Sequence, residues 1–343
     1  MIPDHQPLCT EHSVLCAEHS ALCTLHYALN KTMPIPIIIL LILILIYLIF
    51  IVGPAAVGLF NVFKRPGFRE PETTVFQGNY REPFEKRIKE DSAYLHSLNK
   101  KRVWITGEKD GTRLCADFYD QGADKTVIIA HGYSTGPYLN MSAQARWLLD
   151  LGYNVLMIYQ RAHGPSQGKR STLGLIEQYD LLNWIDWIDR QTNAKDILIY
   201  GASMGATTAA MASDKIRCEK VKALILDSGY TSPYRQMEYE DKKRHLPYFL
   251  LMPLCFVMGK IFLKLDIRTS AGDSLKNTAI PCFFLHGTAD TTVSIEYGKQ
   301  NYDACAPEKD MIYIEGANHL MSFMTQEEEV KNRLLSFLQK YIP

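Results

Sequence analysis

From Ile37 to Val52 every residue is Ile, Leu, Tyr, Phe or Val, and no charge occurs between Ile35 and Phe60. A helix this apolar on every face has no polar side to turn to water. About 20 such residues cross a bilayer as a helix, so residues 35–60 are expected to form a single transmembrane span. The apolar core of a cleaved signal is shorter than this, although Ala56-Val57-Gly58 offers a weak cleavage site. Lys64, Arg65 and Arg69 follow the run, whereas Lys31 alone precedes it. The positive-inside rule then favours a cytoplasmic C-terminal body without settling its side.

Residues 1–32 repeat with a period of seven, bringing Leu8, Leu15, Leu22 and Leu29 into step, with Cys9, Cys16 and Cys23 and with His5, His12, His19 and His26. A Cys followed three residues later by a His suits a soft metal, and a Leu heptad suits a helix seam. Near-identity over four short units is better explained as a repeated nucleotide tract read through. The expectation is a disordered or mis-assigned leader, with Met33 as a natural start. The remaining cysteines, Cys115, Cys218, Cys255, Cys282 and Cys305, are odd in number and form no C-x-x-C pair. They predict buried thiols in a reducing compartment rather than a disulfide framework.

After a polar stretch over 61–100, helical near Phe84–Leu98 and expected to link span and body, the pattern becomes strand and helix in alternation. Val103–Thr106 and Leu114–Tyr119 flank Asp110-Gly111, a hairpin signal. Short apolar runs then fit buried parallel strands at Val127–Ala130, Val155–Ile158, Ile197–Tyr200, Val221–Leu226, Cys282–Leu285 and Met311–Ile314. Amphipathic stretches near 139–151, 174–191, 203–213 and 326–341 lie between or after them. The prediction is a doubly wound α/β body over 101–343, made mixed by its opening hairpin. Residues 229–279 exceed what one crossover needs; two extra helices, packed on the body or capping a site, are expected there.

Gly201-Ala202-Ser203-Met204-Gly205 matches G-x-S-x-G between a predicted strand and a predicted helix, the setting that lifts a Ser hydroxyl to the sheet's edge. A hydroxyl needs a base, and His319 follows a late strand in Gly316-Ala317-Asn318-His319. The base needs an acid. Asp290, just past Cys282–Leu285, is the first candidate; Asp227, past Val221–Leu226, competes but also suits a turn cap. Oxyanion donors are expected from the N–H groups of Met204 and of Tyr133 in His131-Gly132-Tyr133.

With these pieces, and with Arg161-Ala162-His163-Gly164, Asp227-Ser228-Gly229-Tyr230 and His286-Gly287-Thr288-Ala289-Asp290, residues 103–341 resemble the α/β-hydrolase superfamily, near the Bem46-like and prolyl-oligopeptidase-like membrane-anchored hydrolases. The resemblance implies a mostly parallel eight-stranded sheet, Ser203 as nucleophile, Asp290 as acid and His319 as base, and no metal or organic cofactor. Two departures bear on substrate class: Ala202 replaces a more usual His, and Gln160 stands where Asp is frequent. Arg161 and His163 are expected to be structural, a charged pair tying loops together.

The expected activity is hydrolysis of a small-molecule or lipid-like carboxylic ester. The same residues serve a peptidase, amidase or thioesterase, and a non-catalytic binding module on the same fold is the reading from a different class. With 37 basic and 37 acidic residues, the chain has no cationic excess to neutralise phosphates, which argues against a nucleic-acid partner.

Overall fold

The computed structural model describes residues 34–343, so the heptad leader lies outside the described residues. The chain divides at Pro54 into two compact units. In the first, none of the residues Ile35–Val52 is buried. They open a helix, α1 (Ile35–Phe63), long and apolar enough to cross a membrane. Leu48–Val52 forms a π turn within it.

The second unit, Ala55–Pro343, begins well before the strand pattern does, because residues between Ala55 and Lys100 pack onto the body. Ala55, Leu59 and Phe63 are buried. Helix α2 (Glu85–Ser97) turns Ile88 and Leu95 inward and packs on α3 (Pro137–Asp150).

The core is an eight-stranded sheet in the order β1-β2-β4-β3-β5-β6-β7-β8. Strands β1 (Lys101–Thr106) and β2 (Arg113–Tyr119) form the antiparallel hairpin that Asp110-Gly111 predicts, and β2 also runs antiparallel to β4 (Asn154–Tyr159). From β4 onward the sheet is parallel through β3 (Lys125–Ala130), β5 (Asp196–Ala202), β6 (Val221–Asp227), β7 (Cys282–Gly287) and β8 (Lys309–Ile314). Helices cover both faces of such a sheet, so Ile128, Ile129, Leu198, Ile199, Leu224 and Ile225 are completely buried. The register sets Ala130 beside Gly201, Ala202 beside Asp227, and Asp227 beside Leu285. The carboxyl ends of four neighbouring strands therefore reach one edge together, where ligands of open α/β sheets bind.

Helices α4 (Glu177–Gln191) and α5 (Met204–Ala212) precede and follow β5. Between β6 and β7 the chain forms three helices, two more than one crossover needs: α6 (Pro233–Lys243), α7 (Tyr248–Met258, extended by a π turn over Gly259–Leu263) and the short α8 (Ala271–Asn277). Helix α9 (Ile295–Ala304) joins β7 to β8, and α10 (Ser322–Thr325) and α11 (Glu327–Tyr341) close the chain.

Candidate active site

Ser203 stands between β5 and α5 at φ 54° and ψ −114°, a left-handed conformation that a side chain rarely adopts. The turn is held because α5 runs hard against the sheet. A Cβ at Gly205 would overlap the Ala130 carbonyl, and one at Gly201 would overlap the Gly205 carbonyl. The Ser203 N–H donates to the Asp227 carbonyl at 2.8 Å, pinning the elbow to β6. The helix that follows turns its N-terminal N–H groups toward the same edge.

Asp290 follows β7 on the loop past Gly287, and its side chain is fully buried. Oδ1 accepts the N–H groups of Thr292 and Val293, both at 2.8 Å. Oδ2 accepts His319 Nδ1–H at 2.7 Å and lies 3.3 Å from His286 Nε2. Burial alone would raise this carboxyl's pKa, but the charge of His319 and the hydrogen bonds of both imidazoles outweigh it and hold Asp290 below the ordinary carboxylate range. Asn318 Oδ1 accepts the His319 N–H at 2.7 Å and fixes the loop that carries the ring. His319 and Ser203 are nearly covered, 4% and 7% exposed. Among the described residues, neither Ser203 Oγ nor His319 Nε2 has a hydrogen-bond partner, so the Ser–His link is not closed in this structure.

Asp227, the competing acid, ends β6 rather than capping a turn. Its Oδ1 accepts the Ser228 hydroxyl at 2.9 Å, its Oδ2 is unpaired among the described residues, and complete burial raises its pKa to about 7. No imidazole hydrogen-bonds it among the described residues, and it is poorly placed to hold a constant negative charge. Asp290 has both the imidazole and the charge.

The loop after β3 lies across from the elbow, with the Cβ position of Gly132 only 3.3 Å from Ser203 Cβ. The Gly132 N–H donates to Asn140 Oδ1 at 3.0 Å, and the Ser134 N–H to His163 Nε2 at 3.1 Å. The Tyr133 N–H between them, like the Met204 N–H that opens α5, has no hydrogen-bond partner among the described residues. Two free donors flanking a strained Ser is the arrangement an oxyanion requires.

Arg161 and His163 do tie loops together, but not as a charged pair. Arg161 forks onto Asp180 (2.6 and 2.7 Å) and reaches Asp110 at 2.7 Å. His163 is buried, donates from Nδ1 to the Arg161 carbonyl at 2.9 Å, and accepts the Ser134 N–H at Nε2. That pattern needs a neutral ring, and burial lowers its pKa accordingly. His131 is the same tautomer: Nδ1–H donates to the Gly132 carbonyl at 2.7 Å, and Nε2 accepts the Gln160 N–H at 3.0 Å. The rings pack edge to face, 5.0 Å apart. Gln160, in place of a frequent Asp, returns its amide to the His131 carbonyl and so extends this neutral network.

Two contributions have no signal in the sequence. His286 is a lone His on a strand, yet it is the second imidazole on Asp290, and Gly298 of α9 is a glycine because a Cβ there would strike the His286 ring. The second is the end of α1 and the segment that follows it, which border the donor loop. The Tyr133 hydroxyl donates to the Val62 carbonyl at 2.9 Å, the Ser134 hydroxyl to Gly67 at 2.9 Å, and the Gly136 N–H to Arg69 at 3.1 Å. The Arg65 guanidinium donates to the carbonyls of Gly164, Ser166 and Gly168 at 2.7, 3.1 and 3.1 Å. The Phe68 ring fills the space where side chains at Gly136 and Gly164 would otherwise stand.

A mostly parallel eight-stranded sheet with a strained Ser after β5, and an Asp–His pair after the two strands beyond, is that of an α/β-hydrolase; the chain is a member of the α/β-hydrolase superfamily. The profile of the alpha/beta hydrolase fold matches residues 125–252. The chain is similar to the uncharacterised protein YqkD of Bacillus subtilis, 27% identical over 62% of this chain and 70% of the relative. Human protein ABHD12B is 29% identical over 46% of this chain and 42% of its own length. Among solved structures, the Pyrococcus furiosus esterase Pf2001 superposes with a TM-score of 0.59 at 29% identity, over 72% of this chain and 93% of that one. The esterase-like fold is that of a hydrolase.

Proposed function

We propose that the chain is a serine hydrolase, anchored in a membrane by α1, that cleaves carboxylic esters through an acyl-enzyme on Ser203. The observation that carries this reading is the pair of unpartnered N–H groups, Tyr133 and Met204, beside the strained Ser203, with the buried Asp290–His319 pair at the same strand ends. The similarity to an esterase over most of that protein's length supports ester over amide.

The chemistry follows from these positions. As Ser203 Oγ attacks the ester carbon, His319 Nε2 takes its proton, and the carbonyl oxygen becomes an oxyanion received by the Tyr133 and Met204 N–H groups. Asp290, held ionised, keeps Nδ1 protonated and stabilises the imidazolium. Collapse expels the alcohol, which leaves with the proton from His319. Water then gives a proton to His319 and attacks the acyl group; Ser203 leaves with that proton, and the acid departs. No cofactor enters this cycle. Lipid-like acyl groups are the favoured substrates, given the apolar anchor. Peptide and thioester substrates remain the alternative on the same residues.

The test is labelling of the detergent-solubilised full chain with a fluorophosphonate, beside Ser203→Ala and His319→Ala, followed by hydrolysis of p-nitrophenyl acyl esters against peptide anilides. Wild type alone should label, and Ser203→Ala should lower kcat on the order of 10⁶-fold. Equal labelling of Ser203→Ala would refute Ser203 as nucleophile. Folded wild type that neither labels nor turns over esters would move the reading to a binding module, and faster cleavage of anilides would move it to a peptidase.

A further inference from the structure

Most helices of the body are amphipathic in the ordinary way. In α11, Val330, Leu334, Phe337 and Leu338 face the core, while the outer face carries Glu, Lys and Arg. Helix α7 with its π turn breaks this rule. From Tyr248 to Leu263 its sole charge is Lys260. Its inner face buries Leu251, Met252, Cys255 and Leu263. Its outer face is just as apolar: Phe249, Ile261 and Phe262 are 66%, 63% and 61% exposed. A helix apolar on all sides belongs in an apolar surround, and contiguous exposed apolar surface marks a contact with a partner or a membrane.

The last turns of α1 extend this surface. Ala55 packs beneath α7, where the Cys255 thiol lies 3.6 Å from its carbonyl, and the Phe60 and Phe262 rings stand 6.5 Å apart. Val57 and Phe60 are themselves exposed. The chain leading into Ala55 is the Ile37–Val52 run. Apolar surface thus passes without a polar break, along the chain, from the expected span to α1's last turns and from there by packing to α7. The exposed cation Lys260 lies within the π turn, Lys264 follows it and Arg244 precedes α7; long basic side chains at the borders of an apolar face suit a headgroup layer. A second copy of the chain would cover α7 equally well, but would leave unexplained why the patch includes Val57 and Phe60, the residues that follow the expected span directly in the chain.

We propose that the outer face of α7, with Val57 and Phe60 of α1, is a second membrane contact that lies in the interfacial layer of the bilayer. It borders the candidate site from two directions. Helix α6, joined to α7, reaches the Asp290 loop through Lys243 Nζ on the Thr291 carbonyl (2.5 Å) and Gln236 on the Thr292 carbonyl (2.9 Å). The end of α1 holds Tyr133 through the Val62 carbonyl. This inference rests on the anchoring half of the proposed function and is independent of the catalytic half.

The test uses the full chain in phosphatidylcholine–phosphatidylserine vesicles, with a polarity-sensitive fluorescent amino acid at Phe262, at Phe249, or at the control position Glu328 on the charged face of α11. Nitroxide-bearing lipids should quench the first two several-fold more than the control, and iodide should quench only the control well. Alkaline carbonate extraction reports separately whether α1 holds the chain in the bilayer, and fluorophosphonate labelling reports whether the site is formed. If the chain resists extraction but both probes are quenched by iodide, the contact does not exist. If both are shielded from iodide and from lipid nitroxides alike, the face is covered by protein, and the proposal is equally overturned.

Discussion

The two sides of the candidate site are secured by different parts of the molecule. Ser203, Asp290 and His319 are fixed from within the sheet and its own loops: the elbow by the Asp227 carbonyl, Asp290 by two backbone N–H groups and two imidazoles, His319 by Asn318. The Tyr133 loop is fixed on its inner side by Asn140 and His163. Its outer side is fixed by Val62, Gly67 and Arg69, in a segment that contributes no strand to the sheet. The nucleophile side is therefore a property of the fold, whereas the donor side depends on the chain that connects body and anchor. Changes in that connection should alter transition-state stabilisation while leaving the Asp–His pair intact.

After Ser203→Ala, the largest effect expected comes from an isosteric change on the sheet side that removes a charge. Asp290→Asn should lower kcat on the order of 10⁴-fold, because the base loses its tautomer and its counter-charge; steady-state kinetics on a p-nitrophenyl ester would show it, and a loss under tenfold would mean another acid serves. In the segment that follows α1, Arg65→Ala should cut kcat about tenfold, below the 10²–10³ of losing a donor outright, with KM nearly unchanged and Arg65→Lys partly restoring the rate. An equal loss in fluorophosphonate-reactive fraction, with the remaining sites fully active, would reduce Arg65 to a folding role and erase the contrast. Tyr133→Phe removes one neutral hydrogen bond, worth about 1 kcal/mol, and should slow kcat only a few-fold.

The smallest effect on activity belongs to Asp227→Asn, which should leave kcat within a few-fold. Its mark is on stability. An acid whose pKa is raised from about 3.9 in the unfolded chain to about 7 in the folded one binds more protons when folded. It therefore costs stability as pH climbs through that window. The Asn variant should gain more Tm over wild type at pH 8 than at pH 5. Asp290 has the opposite sign: its lowered pKa stabilises the fold above the ordinary carboxylate range, and that contribution is lost in acid.

Strands β3 to β7 were legible because strands buried on both faces read as short apolar runs between polar breaks, as in Val127–Ala130 and Ile197–Tyr200; β1 and β2 were legible from the hairpin signal Asp110-Gly111, and β8 from its run Met311–Ile314. The residues that leave their ends were legible for the same reason, since position after a strand is what distinguished Asp290 and His319 from other acids and histidines. Helix α9 left little periodicity, because it buries only Gly298 and Asn301, neither of which counts as apolar pattern. Helix α8 is seven residues long, too short to show a period. The outer fixing of the donor loop was illegible on physical grounds: what Val62, Gly67 and Arg69 supply is a carbonyl oxygen, which every residue has. His163 was legible as structural, but its neutral state depended on the Ser134 N–H that a sequence does not place beside it.

The Tyr133–Val62 hydrogen bond has a consequence for how far this chain can be shortened. A fragment cut at the start of β1 keeps every strand and both members of the Asp–His pair, yet discards every outer fixing of the donor loop. A fragment that keeps Val62 must also keep the turns Ala55–Phe63 that support it, and with them Val57, Phe60 and the uncovered face of α7. On the proposed membrane contact, then, water solubility and a fixed donor loop are opposing demands on the same few helical turns.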